Sequence, residues 1–167
     1  SARGGGDAGD LEISADNILL DQEGRIRADT SGGNEGNIRL VANEALVLRR
    51  GSSITTNATG TSTGGNIDIT SPVIVAIPAE NSDIVANAVE GNGGNIQIVA
   101  TGIFGLEFRP ELTSLSDITA SSQSGADGVV QINTPDLAPD QGTVKLPSIL
   151  ADPSNQITTG CLATADQ

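Results

Sequence analysis

The sequence predicts an all-β fold, a right-handed parallel β-helix with three short strands in each coil and about five coils. Two observations predict it. A segment of alternating apolar and polar residues recurs as LEISAD, IRLVAN, IDITSP, IQIVAT and VQINTP. Its central residues, Ile13, Leu40, Ile69, Ile98 and Ile132, are 27, 29, 29 and 34 residues apart. Repetition at such a period is typical of solenoids, and alternation with period two indicates strands with one buried face.

The first strand of each coil carries the clearest pattern. Apolar residues flank one polar residue, so the apolar pair is expected to point inward and the polar residue outward. The outward residues form one expected column: Glu12, Arg39, Asp68, Gln97 and Gln131. Opposite charges adjacent in this column predict cross-strand pairs, each worth about 0.2–1 kcal/mol. A Gly-Asp or Gly-Asn pair precedes four of the five segments.

Two further strand sets follow in a fixed order. The second set is NILL at 17–20, ALVL at 45–48, VIVA at 73–76 and GIFG at 102–105. The third set is RIRAD at 25–29, SITTN at 53–57, DIVAN at 83–87 and DITAS at 117–121. This order predicts that each strand pairs in parallel with its equivalent in the next coil, so that Ile stacks on Ile and Asn on Asn. In turns such as GTSTGGN, glycine is expected to supply a positive φ.

The composition fits a thin, stacked aliphatic core. The 167 residues include two Phe and no Trp, Tyr, His or Met, so Ile, Leu, Val and Ala must fill the interior. Asp and Glu total 21 against 8 Lys and Arg, a net charge of −13. Such a charge repels nucleic-acid phosphates, so we expect no nucleic-acid partner. The charge itself is interpreted as solubility, and the sequence leaves calcium binding open.

The repeat divides the chain into two parts. Residues 1–135 are expected to form the coils, and residues 136–167 an irregular C-terminal cap and tail with prolines unsuited to a central ladder. The last repeat contains extra residues, which predict a lateral loop near 104–116. The loop holds both phenylalanines, Phe104 and Phe108, together with Glu107, Arg109, Pro110 and Glu111. Two interpretations of this loop are open: Phe108 covers exposed core, or the loop is a binding face.

The chain lacks the residues that most catalytic mechanisms require. Without histidine, Ser-His-Asp and Cys-His arrangements are impossible, and the single cysteine, Cys161, excludes an intrachain disulfide. Asp83 and Asp117 fall one coil apart, where two carboxylates could bind a cation or share a proton. Because both precede the core Ile of their strand, we expect solvated turn residues. We therefore predict no catalytic, cofactor or metal residues and a chain that is not an enzyme.

Several segments carry a family resemblance: GGNI at 64–67 and 93–96, GIFGLEFRPELTSLSDITASSQ at 102–123, GVVQINTPDLAPDQGTVKLP at 128–147 and DPSNQITTGC at 152–161. In these segments the sequence resembles the cyanobacterial large exoproteins related to filamentous haemagglutinin, which use two-partner secretion. The resemblance covers nearly the whole chain and is most specific from about residue 82 onward. It implies the C-terminal part of a β-helical passenger, exported through an outer-membrane secretion pore. Family roles include adhesion and haem use, but His and Met ligands are absent here.

We therefore expect a structural or adhesive segment of a secreted, extracellular cell-surface exoprotein. Its expected partners are the secretion pore and a surface glycan or protein, without membrane insertion. The alternative is a carbohydrate-binding or polysaccharide-degrading β-helix module, because polysaccharide lyases and hydrolases share this architecture. The sequence leaves open whether the segment is a spacer or an adhesin.

Overall fold

The computed structural model describes residues 8–33 and 35–135, which belong to one compact unit, Ser1–Asp136. The expected cap at 136–167 and Cys161 lie outside the described residues. The strands are β1 (Leu11–Leu20), β2 (Arg25–Arg27), β3 (Ile38–Leu48), β4 (Ser53–Thr55), β5 (Ile67–Thr70), β6 (Val73–Ala76), β7 (Asp83–Val85), β8 (Ile96–Val99), β9 (Gly102–Phe104), β10 (Glu107–Phe108), β11 (Asp117–Thr119) and β12 (Val130–Asn133). One short 3₁₀ helix, Pro78–Glu80, separates β6 from β7.

The strands stack as a parallel β-solenoid. One sheet has the order β12-β8-β5-β3-β6-β9, with β1 also paired to β3, and the other has the order β10-β11-β7-β4-β2. Every strand pairing in the described residues is parallel. The predicted all-β fold of stacked parallel strands is therefore confirmed.

The register of the first strands agrees with the sequence prediction. Ile13 pairs with Leu40, Leu40 with Ile69, and the column continues through Ile98 to Ile132. The outward column pairs in the same order, as Glu12, Arg39, Asp68, Gln97 and Gln131. In the other sheet, the third-set isoleucines pair as Ile26, Ile54, Ile84 and Ile118. Ile therefore stacks on Ile, as predicted.

The first two strand sets differ from the prediction in the early coils. They were expected as separate strands, but β1 and β3 each run through both sets without a break. The register shifts by one residue at the corner between the two sets, because Asn43 and Glu44 of β3 lie opposite the single residue Asp16 of β1, and the pairing continues on both sides of this bulge. In the next two coils the two sets are separate strands, divided at Ser71 and Pro72 and then at Ala100 and Thr101.

Two ladders of polar side chains tie successive coils together. The Oδ1 atom of Asp10 accepts hydrogen bonds from the backbone N–H and the amide of Asn37, at 3.0 and 2.9 Å. In the same way, the Oδ1 atom of Asn37 accepts the backbone N–H and the amide of Asn66. The Oδ1 atom of Asn66 accepts the backbone N–H of Asn95, and that of Asn95 accepts the backbone N–H of Val129. A second ladder runs through Asp29, Asn57, Asn87 and Ser121. The predicted stacking of Asn on Asn is confirmed.

The turn glycines correct one expectation. Gly60 does have a positive φ of 64°, but Gly64 and Gly65 do not. A Cβ at Gly65 would lie 1.9 Å from the carbonyl oxygen of Gly36, and one at Gly94 would lie 2.1 Å from that of Gly65. The Gly-Gly-Asn segments therefore require glycine because backbones of adjacent coils approach closely there.

Candidate functional site

The two aspartates of the third strand set have different roles. Asp117 is buried, and its carboxylate accepts hydrogen bonds from the Arg109 guanidinium and from the backbone N–H and hydroxyl of Thr113, the latter two at 2.5 and 2.9 Å. Asp83 instead accepts the backbone N–H of Asp117 at 2.9 Å. The expectation that both are solvated turn residues is wrong, because each begins a strand, Asp117 is buried and Asp83 is partly buried. The Arg109 ion pair holds the Asp117 carboxylate within the protein.

The pKa values of the two aspartates move in opposite directions. For Asp117, burial alone raises the pKa, but the hydrogen bonds from Thr113 and Arg109 outweigh burial and lower it below its usual range. For Asp83, burial is the largest effect and raises the pKa. Asp117 is therefore held ionised by its partners, and its oxygens are occupied by hydrogen-bond donors. This arrangement differs from a pair of carboxylates that share one proton.

The insertion at 105–116 folds onto the end of the third-set ladder. Its strand β10 pairs in parallel with β11, so that Glu107 lies opposite Asp117 and Phe108 opposite Ile118. Paired residues of parallel strands point to the same face, so Phe108 continues the inward column of isoleucines. Phe108 remains 53% exposed because it is the last member of that column among the described residues. This position favours the interpretation that Phe108 covers core.

Two further contacts hold the insertion to the preceding coil. Gly105 adopts φ 76° and passes so close to Ala76 that a Cβ would lie 2.0 Å from the Ala76 carbonyl oxygen. The Ser116 hydroxyl donates to the Ile77 carbonyl at 2.8 Å and accepts the backbone N–H of Ser82 at 2.9 Å. The sequence predicted the loop from the longer spacing but missed its anchors, because the partners of Arg109 and Ser116 follow only from the three-dimensional contacts.

An ion-pair cluster spans three coils at the corner after the second strand set. Arg49 binds both carboxylate oxygens of Glu80, at 2.7 and 2.9 Å, and the Arg50 guanidinium binds Asp21. The Arg49 side chain and the backbone N–H of Arg50 lower the pKa of Glu80 to about 2. The acids and arginines of this corner neutralise one another.

The outward column of the first strands forms a polar row, defined as Glu12, Arg39, Asp68, Gln97 and Gln131. The residues are in register at the spacing of parallel strands, about 4.8 Å. The predicted ion pair between Glu12 and Arg39 is present but long, at 4.0 Å, and both side chains are mostly exposed. The other predicted pair, between Arg39 and Asp68, is in register but does not form an ion pair. The row thus presents carboxylate, guanidinium and amide groups to solvent, beside a shallow groove lined by Asn66 and Asn95.

An apolar stripe, defined as Leu19, Val47, Val75 and Phe104, runs along the outward face of the second strand set. These residues pair successively between coils. Leu19 is 64% exposed and Phe104 59% exposed, while both valines are partly exposed. A Cβ at Gly102 would lie 2.9 Å from the Phe104 ring, so the ring lies over Gly102.

A candidate binding face was predicted only near 104–116, which includes Phe104, and the rest of this stripe was not predicted. The signal was present, because NILL, ALVL and VIVA are apolar at consecutive positions rather than at alternate ones. Continuous apolar runs in parallel strands are typical of sheets covered on both faces. The outward side chains of the second set are therefore the second candidate surface, beside the polar row.

Within residues 8–33 and 35–135, no three His, Cys, Asp or Glu side chains are grouped closely enough to hold a metal ion. Over the same residues, no helix has the length and apolarity needed to cross a membrane. Comparison of the chain with protein-family models, curated proteins and solved structures gave no significant match. Any assignment of function consequently depends on the sequence and on the surfaces described above.

Proposed function

We propose that this chain is a structural and adhesive segment of a secreted cell-surface exoprotein, exported by two-partner secretion. In this proposal a right-handed parallel β-helix of about five coils presents a glycan-binding surface. The observation that carries the proposal is the unbroken register of the polar row, in which each coil adds one outward side chain to the same straight line. A solenoid built in this way displays binding groups at a constant spacing.

The chemistry of the polar row favours a ligand rich in hydroxyl groups. Carboxylate and amide oxygens accept hydrogen bonds from hydroxyls, and the guanidinium of Arg39 donates to them. The row contains two acids and one arginine, so an anionic polysaccharide would meet a slightly negative surface. We therefore propose a neutral glycan as the ligand.

Export and handedness are supported by more general arguments. The resemblance to filamentous-haemagglutinin-like exoproteins supports two-partner secretion. Contacts in a solenoid are made mainly between neighbouring coils, so folding can proceed coil by coil as a chain emerges from a pore. Right-handed crossovers between parallel strands are strongly preferred, which supports the proposed hand of the helix.

A glycan array with the fluorescently labelled chain tests the adhesive role. The variant Asp68→Ala/Gln97→Ala removes one acid and one amide from the polar row. The matched control Glu90→Ala/Gln123→Ala removes the same groups from exposed positions outside the row. We expect the parent chain to bind neutral glycans and the control variant to bind them equally well. Binding by the row variant should fall at least about tenfold, since each lost hydrogen bond to a charged group is worth about 1.5–3 kcal/mol.

Two results would contradict this proposal. The first is a chain that binds no glycan, and the second is equal binding by the row variant and its control. Incubation with polysaccharides distinguishes the enzymatic alternative. Release of new reducing ends by the parent, and its loss in Asp83→Ala, would indicate a polysaccharide-degrading module instead of an adhesive one.

A further inference from the structure

The asparagine ladder beside the polar row leaves one side-chain amide free. The amide of Asn37 donates to Asp10 at 2.9 Å, and the amide of Asn66 donates to Asn37 at 3.1 Å. Asn95 joins the ladder through its backbone N–H and its Oδ1 atom, but its amide nitrogen donates to no other described residue. Asn95 is also exposed, whereas Asn37 and Asn66 are half-buried. Asn95 therefore presents two N–H donors to solvent.

Asp68 and Gln97 provide hydrogen-bond acceptors beside this free amide. They lie opposite each other in the pairing of β5 with β8, and Asn95 precedes Gln97 by two residues, so the three side chains share the outward face. Asp68 and Gln97 are exposed, and neither side chain bonds to another described residue. A sugar hydroxyl both donates and accepts hydrogen bonds, so one carboxylate and two amides can satisfy it.

Val129 adds an apolar contact at the same place. It lies opposite Asn95, because Val130 pairs with Ile96, and it takes the position that the next asparagine of the ladder would occupy. Val129 is 56% exposed and lines one groove with Asp68, Asn95 and Gln97. Small-molecule sites combine apolar contacts with a few placed polar groups. A sugar ring, which has hydroxyls at its edge and C–H groups on its face, matches both.

We propose that this groove, defined by Asp68, Asn95, Gln97 and Val129, binds a single ring of a neutral hexose. Its volume of about 490 Å³ lies within the range of about 300–1,000 Å³ that is typical of small-molecule sites. The ring lies with hydroxyls toward Asp68 and Asn95 and a C–H face toward Val129. The carboxylate of Asp68 has no ion-pair partner among the described residues, which disfavours a sugar acid.

This subsite rests on the proposed glycan-binding function and narrows it to one part of the polar row. Lower in the ladder the amides of Asn37 and Asn66 are engaged within the protein. The Asn95 amide is free, and it is beside both an unpaired carboxylate and an exposed apolar side chain. The strongest contact with a glycan is therefore expected at one ring, and not equally along the row.

Nuclear magnetic resonance titration of the ¹⁵N-labelled full chain tests the subsite. The probes are methyl glucoside, methyl galactoside and methyl mannoside, each a single neutral ring. We expect at least one probe to shift the side-chain amide of Asn95 and the backbone amide of Val129. The dissociation constant should be on the order of 1–10 mM, because one ring makes few contacts.

The variant Asn95→Asp removes the free donors but keeps the Oδ1 acceptor for the Val129 N–H. The matched control is Asn92→Asp, at an exposed position outside the groove. The Oδ1 atom of Asn92 accepts the Ala126 N–H at 3.0 Å, just as that of Asn95 accepts the Val129 N–H at 3.0 Å. We expect Asn95→Asp to weaken binding about threefold to tenfold through the loss of one hydrogen bond, and Asn92→Asp to leave it unchanged.

The variant Val129→Thr tests the apolar contact independently, and circular dichroism melting checks that each variant folds. Replacing one methyl group by a hydroxyl should weaken binding about threefold. The subsite would be overturned if no probe shifts the two amides, or if Asn95→Asp and Asn92→Asp bind equally. A hexoside that binds here while the glycan array shows no binding contradicts only the adhesive role. Array binding without any effect of the hexosides contradicts only the subsite.

Discussion

Replacement of Ile69 by aspartate places a charge in the middle of the stacked core. Ile69 is 1% exposed and lies in register between Leu40 and Ile98. Losing the buried side chain costs about 1.5–3 kcal/mol, and an unpaired carboxylate in that position adds several kcal/mol more. The sum of about 5 kcal/mol is comparable to the whole stability of a typical domain, about 5–15 kcal/mol.

Thermal unfolding followed by circular dichroism at pH 7 measures this effect. At about 3 °C or more per kcal/mol, the Ile69→Asp chain should melt at least about 15 °C below the parent or be unfolded at 25 °C. The matched control is Thr70→Asp, which introduces the same charge one residue along, where the side chain is exposed. An Ile69→Asp chain that melts with the parent, or a Thr70→Asp chain that is equally destabilised, would refute the inward and outward assignment.

Three further predictions concern the anchors and corners of the fold. Arg109→Ala should destabilise the chain by about 1–3 kcal/mol in urea unfolding, less than the loss of a fully buried pair, because Thr113 still donates to Asp117; an unchanged unfolding midpoint would contradict the anchoring role. Gly65→Ala should cost about 1–3 kcal/mol through overpacking, whereas Gly32→Ala, where a Cβ meets nothing within 4 Å, should not; equal melting temperatures would exclude the close approach. The Glu80 pKa of about 2 lies below its ordinary value of 4.5, so its stabilising effect is present above pH 4.5 and is lost as the pH falls toward 2; Glu80→Gln should remove this part of the pH dependence of the melting temperature, and an identical profile would refute it.

The strand register was predictable because it depends on local alternation. Each first-set segment alternates with period two, and a slip of one residue would expose every inward isoleucine. The Asn ladders were predictable for the same reason, since Asn37, Asn66 and Asn95 precede equivalent strands. Sequence periodicity therefore contains enough information to align coils that are nearly thirty residues apart.

The corners were less predictable because they depend on contacts between coils. The continuity of β1 and β3 arises from a bulge whose position is set by the pairing of the two strands. The requirement for Gly65 comes from the carbonyl oxygen of Gly36 in the coil before it, and not from its own φ. Neither feature can be inferred from one turn taken alone.

The insertion and the apolar stripe were incompletely predicted from the sequence, for two different reasons. The buried state of Asp117 requires Arg109 and Thr113 to fold back over it, and nothing in the spacing of these residues indicates such a contact. The stripe corresponds to continuous apolar runs in the sequence. That Leu19, Val47 and Val75 form one exposed surface follows only from the strand pairing, which places them on the same outward face. The sequence pattern therefore locates the insertion and the stripe, but their contacts and exposure follow only from the pairing of the strands.

The central claim is that equivalent strands of successive repeats stack in parallel and in register. Spin labels at positions 12 and 131, in a Cys161→Ser background, test it by double electron–electron resonance. These positions are linked by four successive pairings, 12 to 39 to 68 to 97 to 131, so their backbones should be about 19 Å apart. A narrow distance distribution near 20 Å is the predicted result, and a broad distribution or one centred beyond about 35 Å would contradict the solenoid.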